Sequence, residues 1–342
     1  MMRLKAPADL PQLVKRTFAK ARADGDLHYF ETRVTIIEAN KIPFQLRYSP
    51  ALANKPRGPP PDPSKPHKPM DPFENPPRAL WLTDLGPDHF LVLNKFAVVP
   101  EHFILATKDF KPQTHLLEES DLAATLACIR AYEEETTKAS GAGAGDGGLF
   151  AFFNCGEHSG ASQPHRHIQL LPLTTMREGL GGDARWTVLA DQLHRRRPPF
   201  ATFSEDISLG MEPADLHAAY LRLYRRACRG VARHMGEPAA EEQVDEEAVG
   251  QEAGEALVSY NMAMTRESLV IAPRLAEGAT ICSHEGDVIG NLALNGTVLA
   301  GTALVKSELE WDALVRSEEG LQAVLRGIGI SSEEIEERDI AP

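Results

Sequence analysis

The chain has 342 residues, 42% of them hydrophobic and 25% charged, and carries a formal net charge of −13. That composition is globular rather than disordered, and its acidity excludes a general nucleic-acid coat or a membrane-surface binder. Four separated cysteines, Cys128, Cys155, Cys228 and Cys282, form no CxxC pair, which excludes a disulfide framework and fits reduced thiols.

The acidity is local. Eight acidic residues and no Lys or Arg fall between Glu237 and Glu255, so the rest of the chain is close to balanced. No run approaches the 18 apolar residues of a membrane span. The basic, amphipathic N-terminus contains Asp9 and Asp24 and lacks Ser, so it reads as a surface helix rather than a transit peptide.

Along the chain, Leu10, Leu13, Val14, Phe18 and Ala21 recur at helical spacing and predict an opening helix. RVTIIEA and IPFQLRY, parted by Asn40, predict a hairpin. Ten prolines between Pro56 and Pro77 forbid helix and central strand, which leaves an extended surface segment. Antiparallel strands are expected through LWLTDLGPDHFLVLNKFAVVPEHFILAT, then a helix over EESDLAATLACIRAYEEETTKA with Asp121 near its start. The glycine run 141–148 formally contains GxGxxG, but the order helix, glycines, strand is the reverse of a dinucleotide site, so it reads as a loop.

A helix is expected from about Asp215 into the acidic segment 237–255, which itself reads as a solvated insertion. Strands then resume through ALVSYNMAMTRESLVIAPR, turning near Thr265–Glu267, and continue through LALNGTVLAGTALVK before closing helices. Runs of strands separated by helices, without strict alternation, predict an α+β fold with a largely antiparallel sheet. We expect one elaborated catalytic domain, residues 1–342, whose part after about 200 completes the sheet begun before it. Residues 56–77, 141–148 and 237–255 are expected to be loops or insertions, and no function is assigned to them.

The chemistry concentrates in FNCGEHSGASQPHRHIQLLPL, residues 153–173. Read as a strand from Gln163 to Leu171, it places His165, His167, Gln169 and Leu171 on one face and Arg166, Ile168 and Leu170 on the other. The preceding turn is small and polar, able to aim main-chain N–H groups at an oxyanion. A neutral imidazole beside such a turn suits nucleophilic attack on phosphorus, and a polyphosphate leaving group departs without a strong general acid. Zinc chelation by two histidines alone lacks a third ligand at customary spacing. Buried structural histidines are the other plain alternative.

The motif H-x-H-x-Q at His165, His167 and Gln169 resembles the histidine-triad superfamily, in its transferase branch. Five further blocks extend the likeness: GDLHYFETRVTIIEANKIPFQLRYSPALANKP, DPFENPP, DHFLVLNKFAVVPEHFILATKDFKPQT, SYNMAMTRESLVIAPR and LNGTVLAGTALVKSE. Together they resemble the fungal ATP adenylyltransferases, the diadenosine tetraphosphate phosphorylase family. That resemblance implies a histidine-triad-like fold and reversible phosphorolysis of diadenosine tetraphosphate (Ap4A) through an AMP-histidine. It makes His167 the nucleophile, has His165 help bind phosphate, and has Gln169 hold the phosphoryl group. Asn154, eleven residues before His165, is implied near the nucleotide phosphate, and Gly160, Ala161, Ser162 and Gln163 form the phosphate-binding turn. Lys55, Asn94, Lys95, Asn295, Thr302 and Lys306 are implied substrate contacts. A divalent cation, Mg²⁺, is expected to travel with the substrate, with no metal site in the protein and no organic cofactor. The expected setting is a monomer in the cytoplasm, and also the nucleus, acting on diadenosine polyphosphates, ATP, ADP and phosphate without nucleic acid or membrane. A uridylyltransferase-like transferase of nucleotide sugars and a nucleotide-binding sensor without turnover are the alternatives.

Overall fold

The computed structural model describes residues 3–54, 71–140, 147–182, 184–236, 251–283, 285–317 and 319–332. Lys55, most of the Pro-rich segment, glycine-run residues 141–146 and acidic residues 237–250 lie outside the described residues.

Helix α1 (Leu10–Asp24) opens the chain and buries Leu10, Val14, Phe18 and Ala21, the stripe its spacing predicts. It ends at Gly25, whose φ of 79° makes a left-handed cap. Short β1 (His28–Tyr29) precedes the hairpin of β2 (Arg33–Ala39) and β3 (Ile42–Tyr48). Asn40 and Lys41 both have positive φ, at 51° and 60°, the geometry of a two-residue turn matched to strand twist. Next come β4 (Trp81–Leu85), β5 (His89–Leu93), β6 (Phe96–Ala97) and β7 (Phe103–Thr107), then α2 (Glu119–Ser140) and β8 (Leu149–Cys155). Strand β9 (His167–Pro172) leads into the single helical turn α3 (Leu173–Met176). After β10 (Phe203–Asp206) and α4 (Pro213–Met235), β11 (Tyr260–Met264) and β12 (Ser268–Pro273) form the predicted hairpin. Strands β13 (Gly278–Cys282), β14 (Val288–Ala293) and β15 (Thr302–Val305) follow, then the helices Glu308–Arg316 and Gly320–Gly327.

Eight strands make one antiparallel sheet in the order β10-β12-β11-β8-β9-β7-β5-β4, so strands from both halves of the chain flank β8 and β9 at its centre. A second sheet, β15-β3-β2, pairs β15 parallel to β3. The fold is therefore α+β with a largely antiparallel sheet, as expected. One expected strand differs: Gly296–Ala300, inside LALNGTVLAGTALVK, is a 3₁₀ turn. The Asn295 side chain accepts from Thr297 N–H at its start and Gly301 closes it in the left-handed region, a pair of end signals that beat the local β propensity.

Strand parity divides the core. Leu149, Ala151 and Phe153 of β8 with Ile168 and Leu170 of β9 face a cluster built with α1, α2 and α4. Phe150, Phe152 and Leu171 face the other way, onto a cluster with β3, the Gly296–Ala300 turn and the closing helices. Each fully buried Phe contributes about 1.5–3 kcal/mol by leaving water, which fixes the register of these strands firmly. His167, Gln169, Asn154 and Asn261 share the parity of the second face. Arg166 takes the first.

Candidate active site

Strand β9 begins at His167 and not at Gln163, two turns of the pleat later than its sequence suggests. The main-chain groups just before it are spent on another segment. Arg166 N–H donates to the Lys111 carbonyl (2.7 Å), and Gln113 N–H donates to the Pro164 carbonyl (2.8 Å). His165 therefore stands outside the ladder, in an isolated bridge with Pro112.

At the mouth of the β8–β9 pair the strands separate. Their last paired residues are Phe152 and Gln169. Two positions further on, where Asn154 would face His167 in register, the buried Gln113 carboxamide inserts between them. Its Oε1 accepts from His167 N–H (2.8 Å), while its Nε2 donates to the carbonyls of Asn154 (2.8 Å) and His167 (3.2 Å).

His167 is 4% exposed. Its Nδ1 lies 2.8 Å from the main-chain carbonyl of His165. A carbonyl only accepts, so Nδ1 carries the proton and Nε2 the lone pair. Burial pushes the His167 imidazole down to about 4, with the neighbouring His165 charge assisting and the His165 carbonyl bond and the Asp71 charge opposing. The ring is thus neutral at pH 7. Phe73 covers it, with ring centroids 5.1 Å apart, and also meets His165 edge-on at 5.6 Å.

Both nitrogens of His165 are engaged within the protein, Nδ1 by Asp71 and Nε2 by Thr107. Its ring offers phosphate no free nitrogen, contrary to the role expected of it. Asp71 and Phe73 come from the end of the Pro-rich segment, which the sequence reading left without a part in the site.

His102 is the residue that sequence reasoning missed. Asn94 Oδ1 accepts from Phe96 N–H (2.9 Å), which orients the carboxamide so that Nδ2 donates to His102 Nδ1 (3.1 Å). His102 is therefore the Nε2–H tautomer, and that buried Nε2 has no hydrogen-bond partner. Burial lowers this imidazole to about 3, with the nearby Gln169 carboxamide opposing and His167 assisting. Asn94 thus orients His102, its amide already occupied on both ends. Its only sequence signal was a histidine opening the apolar run FILAT.

The turn before His165 is held by glycines. Gly156 and Gly160 have φ of 86° and 78° around the 3₁₀ turn Glu157–Ser159. A Cβ on Gly160 would lie 2.8 Å from the Leu294 carbonyl oxygen and 2.9 Å from the Asn295 Cβ, so this turn packs directly on Asn295. Ala161 and Ser162 are exposed and Gln163 is half-buried. Among the described residues, the main-chain N–H groups of these three donate to no protein acceptor, and the Ser162 and Gln163 side chains make no internal bond.

Asn154 is buried. Its Oδ1 accepts from Gly296 N–H (2.8 Å) and Asn261 Nδ2 (3.0 Å), so only its NH₂ remains to face an anion. Asn261 Nδ2 also donates to the Ser159 carbonyl (2.8 Å), and its Oδ1 accepts from Arg274. Arg274 donates further to the carbonyls of Ala276, Glu277 and Leu294. A polar residue inside the apolar strand YNMAM was the available signal for Asn261. Thr302 is buried with its hydroxyl unpartnered, whereas Lys95 and Lys306 are exposed. Lys306 follows β15 where the parallel β3 also ends, and Asn295 is the cap of the Gly296 turn.

Arg166 is not a site cation. On the opposite face it pairs with Glu118 (2.8 Å) and Asp121 (2.9 Å), and Asp121 also binds His89 (2.7 Å). All four cysteines are free. Among the described residues no group of three or more His, Cys, Asp or Glu could hold a metal ion, and no helix is long and apolar enough to cross a membrane.

Residues 2–181 match the family model of the Ap4A phosphorylase N-terminal domain, and residues 196–331 that of the ATP adenylyltransferase C-terminal domain. The chain is 33% identical over 178 residues to diadenosine 5',5'''-P1,P4-tetraphosphate phosphorylase 2 of Saccharomyces cerevisiae, a stretch covering 48% of this chain and about half (50%) of that relative. Protein APA1 of the same yeast is 26% identical over 289 residues, covering 79% of this chain and 81% of that protein. Crystal structures of yeast Ap4A phosphorylase Apa2, alone and in complex with Ap4A, share this fold at TM-scores of 0.69 and 0.67. Both are 23% identical and cover 96% of this chain, with 96% and 99% of theirs. The chain belongs to the Ap4A phosphorylase family of ATP adenylyltransferases.

Proposed function

We propose that this chain is a nucleotidyltransferase that cleaves Ap4A with inorganic phosphate by double displacement at His167. One observation carries the reading: the His165 carbonyl fixes the proton on Nδ1 of His167, which leaves a neutral Nε2 beside a turn with unpaired N–H donors. Nε2 attacks the α-phosphorus, the N–P bond forms, and the P–O bond to ATP breaks. Phosphate oxygen then attacks the AMP-histidine, the N–P bond breaks, and ADP leaves. ATP departs as a stabilised polyphosphate anion, so its departure needs no strong general acid.

The N–H groups of Ala161, Ser162 and Gln163, the Asn154 NH₂ and the His102 Nε2–H are the donors for the phosphoryl oxygens. Such preorganised donors stabilise charge as it develops. Gln169 holds the phosphoryl group from the His167 face. Lys55, Lys95, Asn295, Thr302 and Lys306 complete the substrate contacts. Mg²⁺ rides on the polyphosphate as part of the substrate, in keeping with its habit of sharing substrate phosphates. The enzyme works as a monomer in the cytoplasm, where its unpaired cysteines stay reduced.

Incubation with ATP labelled at the α-phosphate should give an acid-labile adduct on His167. A His167→Ala variant should fold, lose the adduct and lose turnover by about 10³-fold or more. Labelling by a UDP-sugar in place of ATP would overturn the assignment.

A further inference from the structure

His165 is 1% exposed and faces acceptors with both ring nitrogens. Nε2 lies 2.8 Å from the Thr107 carbonyl and 3.0 Å from the Thr107 hydroxyl oxygen. The hydroxyl proton is already donated to the Asp109 carbonyl at 2.8 Å, so that oxygen also accepts. Nε2 therefore carries a proton. Nδ1 lies 2.7 Å from Asp71 Oδ2, and the other Asp71 oxygen accepts from Phe73 N–H at 2.9 Å. An ionised Asp71 requires a donor at Nδ1 too.

We infer that Asp71 is the positioning residue of this centre: its carboxylate, against the two Thr107 oxygens, holds His165 as an imidazolium whose charge disfavours protonation of His167, while the fixed His165 carbonyl keeps the His167 proton on Nδ1 and leaves Nε2 bare. This rests on His167 being the nucleophile, but the protonation of His165 does not.

Among the described residues, the surrounding charges are committed elsewhere. Lys108 pairs with Asp84 and Lys111 with Glu118, while Arg166 is tied to Glu118 and Asp121 on the far face. His102 is neutral, and Phe73 and Phe110 wall the His165 ring. Among the described residues, Asp71 is thus the carboxylate at that ring. A cation one carbonyl from the nucleophile opposes protonation of His167 and attracts the phosphoryl oxygens without touching them. The arrangement separates two tasks that one histidine cannot perform together, bearing charge and bearing a lone pair.

The test is nitrogen NMR of the ligand-free full chain carrying ¹⁵N-histidine at pH 7, with His165→Asn used to assign the signals. Both His165 nitrogens should resonate as protonated, and His167 should show one bare nitrogen. Asp71→Asn should neutralise His165 and lower kcat on the order of 10- to 100-fold, with KM within about twofold. It should also move the acid limb of kcat/KM to higher pH, because loss of the His165 charge, which lowers His167, outweighs loss of the Asp71 charge, which raises it. Asp71→Glu should recover part of the rate. A bare nitrogen on His165 in the unmutated protein would overturn the inference, and so would an Asp71→Asn enzyme with neutral His165 and unchanged kcat. The spectrum of the unmutated protein decides even if the variants do not fold. Failure of ATP to label His167 would instead sink the proposed function, leaving the protonation result standing.

Discussion

Nδ1 of His167 donates to the main-chain carbonyl of His165 across 2.8 Å, so the proposed nucleophile is oriented by the backbone two residues before it and not by a partner side chain. The consequence is economical in space: the ring faces a single acceptor, and the side chains around it are left to bind substrate. It also makes the local backbone a functional element, because any shift of residues 165–167 turns the ring.

That backbone is held by Gln113, which leads to the first prediction. Gln113→Ala leaves the His167 N–H and two carbonyls without their buried partner, at a cost of about 1–3 kcal/mol in stability. It should also lower kcat more than it raises KM, since the imidazole loses its alignment. Gln113→Glu keeps the acceptor for His167 N–H but loses the donor to Asn154 and His167, so it should fall between. Steady-state kinetics and urea unfolding of both variants check this, and a Gln113→Ala enzyme of unchanged kcat would count against it.

Stability should fall as pH drops from 7 toward 4. His167 and His102 hold at about 4 and about 3 in the folded chain, both from burial, whereas an unfolded histidine titrates near 6.5. Below that value the unfolded chain binds two protons that the folded chain refuses, so their contribution is complete above pH 6.5 and lost below it. Each costs about 1.4 kcal/mol per pH unit in the steep range. The Glu118 and Asp121 carboxyls, held low by their Arg166, Lys111 and His89 partners against burial, add to the loss near the acid end. Unfolding free energies at pH 7, 6 and 5 measure the slope, and His102→Asn should flatten it by about half of the histidine part.

Arg166→Met should separate stability from substrate binding. Side chains of Arg166 and Asp121 are 4% and 2% exposed, so removing the guanidinium strands a buried carboxylate beside His89. Loss of one partner of such a pair costs about 3–5 kcal/mol. Because Arg166 points to the α2 side of the sheet, KM for the nucleotide should stay unchanged. A large rise in KM with normal thermal stability would put Arg166 back in the site.

Much of this protein was legible in its sequence because the determinants are local. Period-two alternation in LFAFFNC and HIQLLP sets which face each residue takes, and it places His167 and Gln169 opposite Arg166. The α1 stripe and the Thr265–Glu267 turn are equally local. So is H-x-H-x-Q, the motif that carries the family resemblance from which His167 is proposed as the nucleophile.

The remainder needed the tertiary structure, because it depends on which distant group reaches a given hydrogen-bonding atom. Nothing in FKPQT shows that Gln113 enters between β8 and β9, and nothing in DPFENPP shows that Asp71 reaches His165, 94 positions away. Charge was the most misleading local clue. Arg166 lies inside the motif yet is neutralised on the far face, while Arg274, far along the chain, anchors Asn261 and through it Asn154. Sequence by itself determined the fold class, the face of each strand and the family resemblance from which His167 is proposed as the nucleophile. Tertiary packing alone decided which nitrogen of each histidine carries its proton, since that is fixed by the acceptors that chain folding brings within 3 Å.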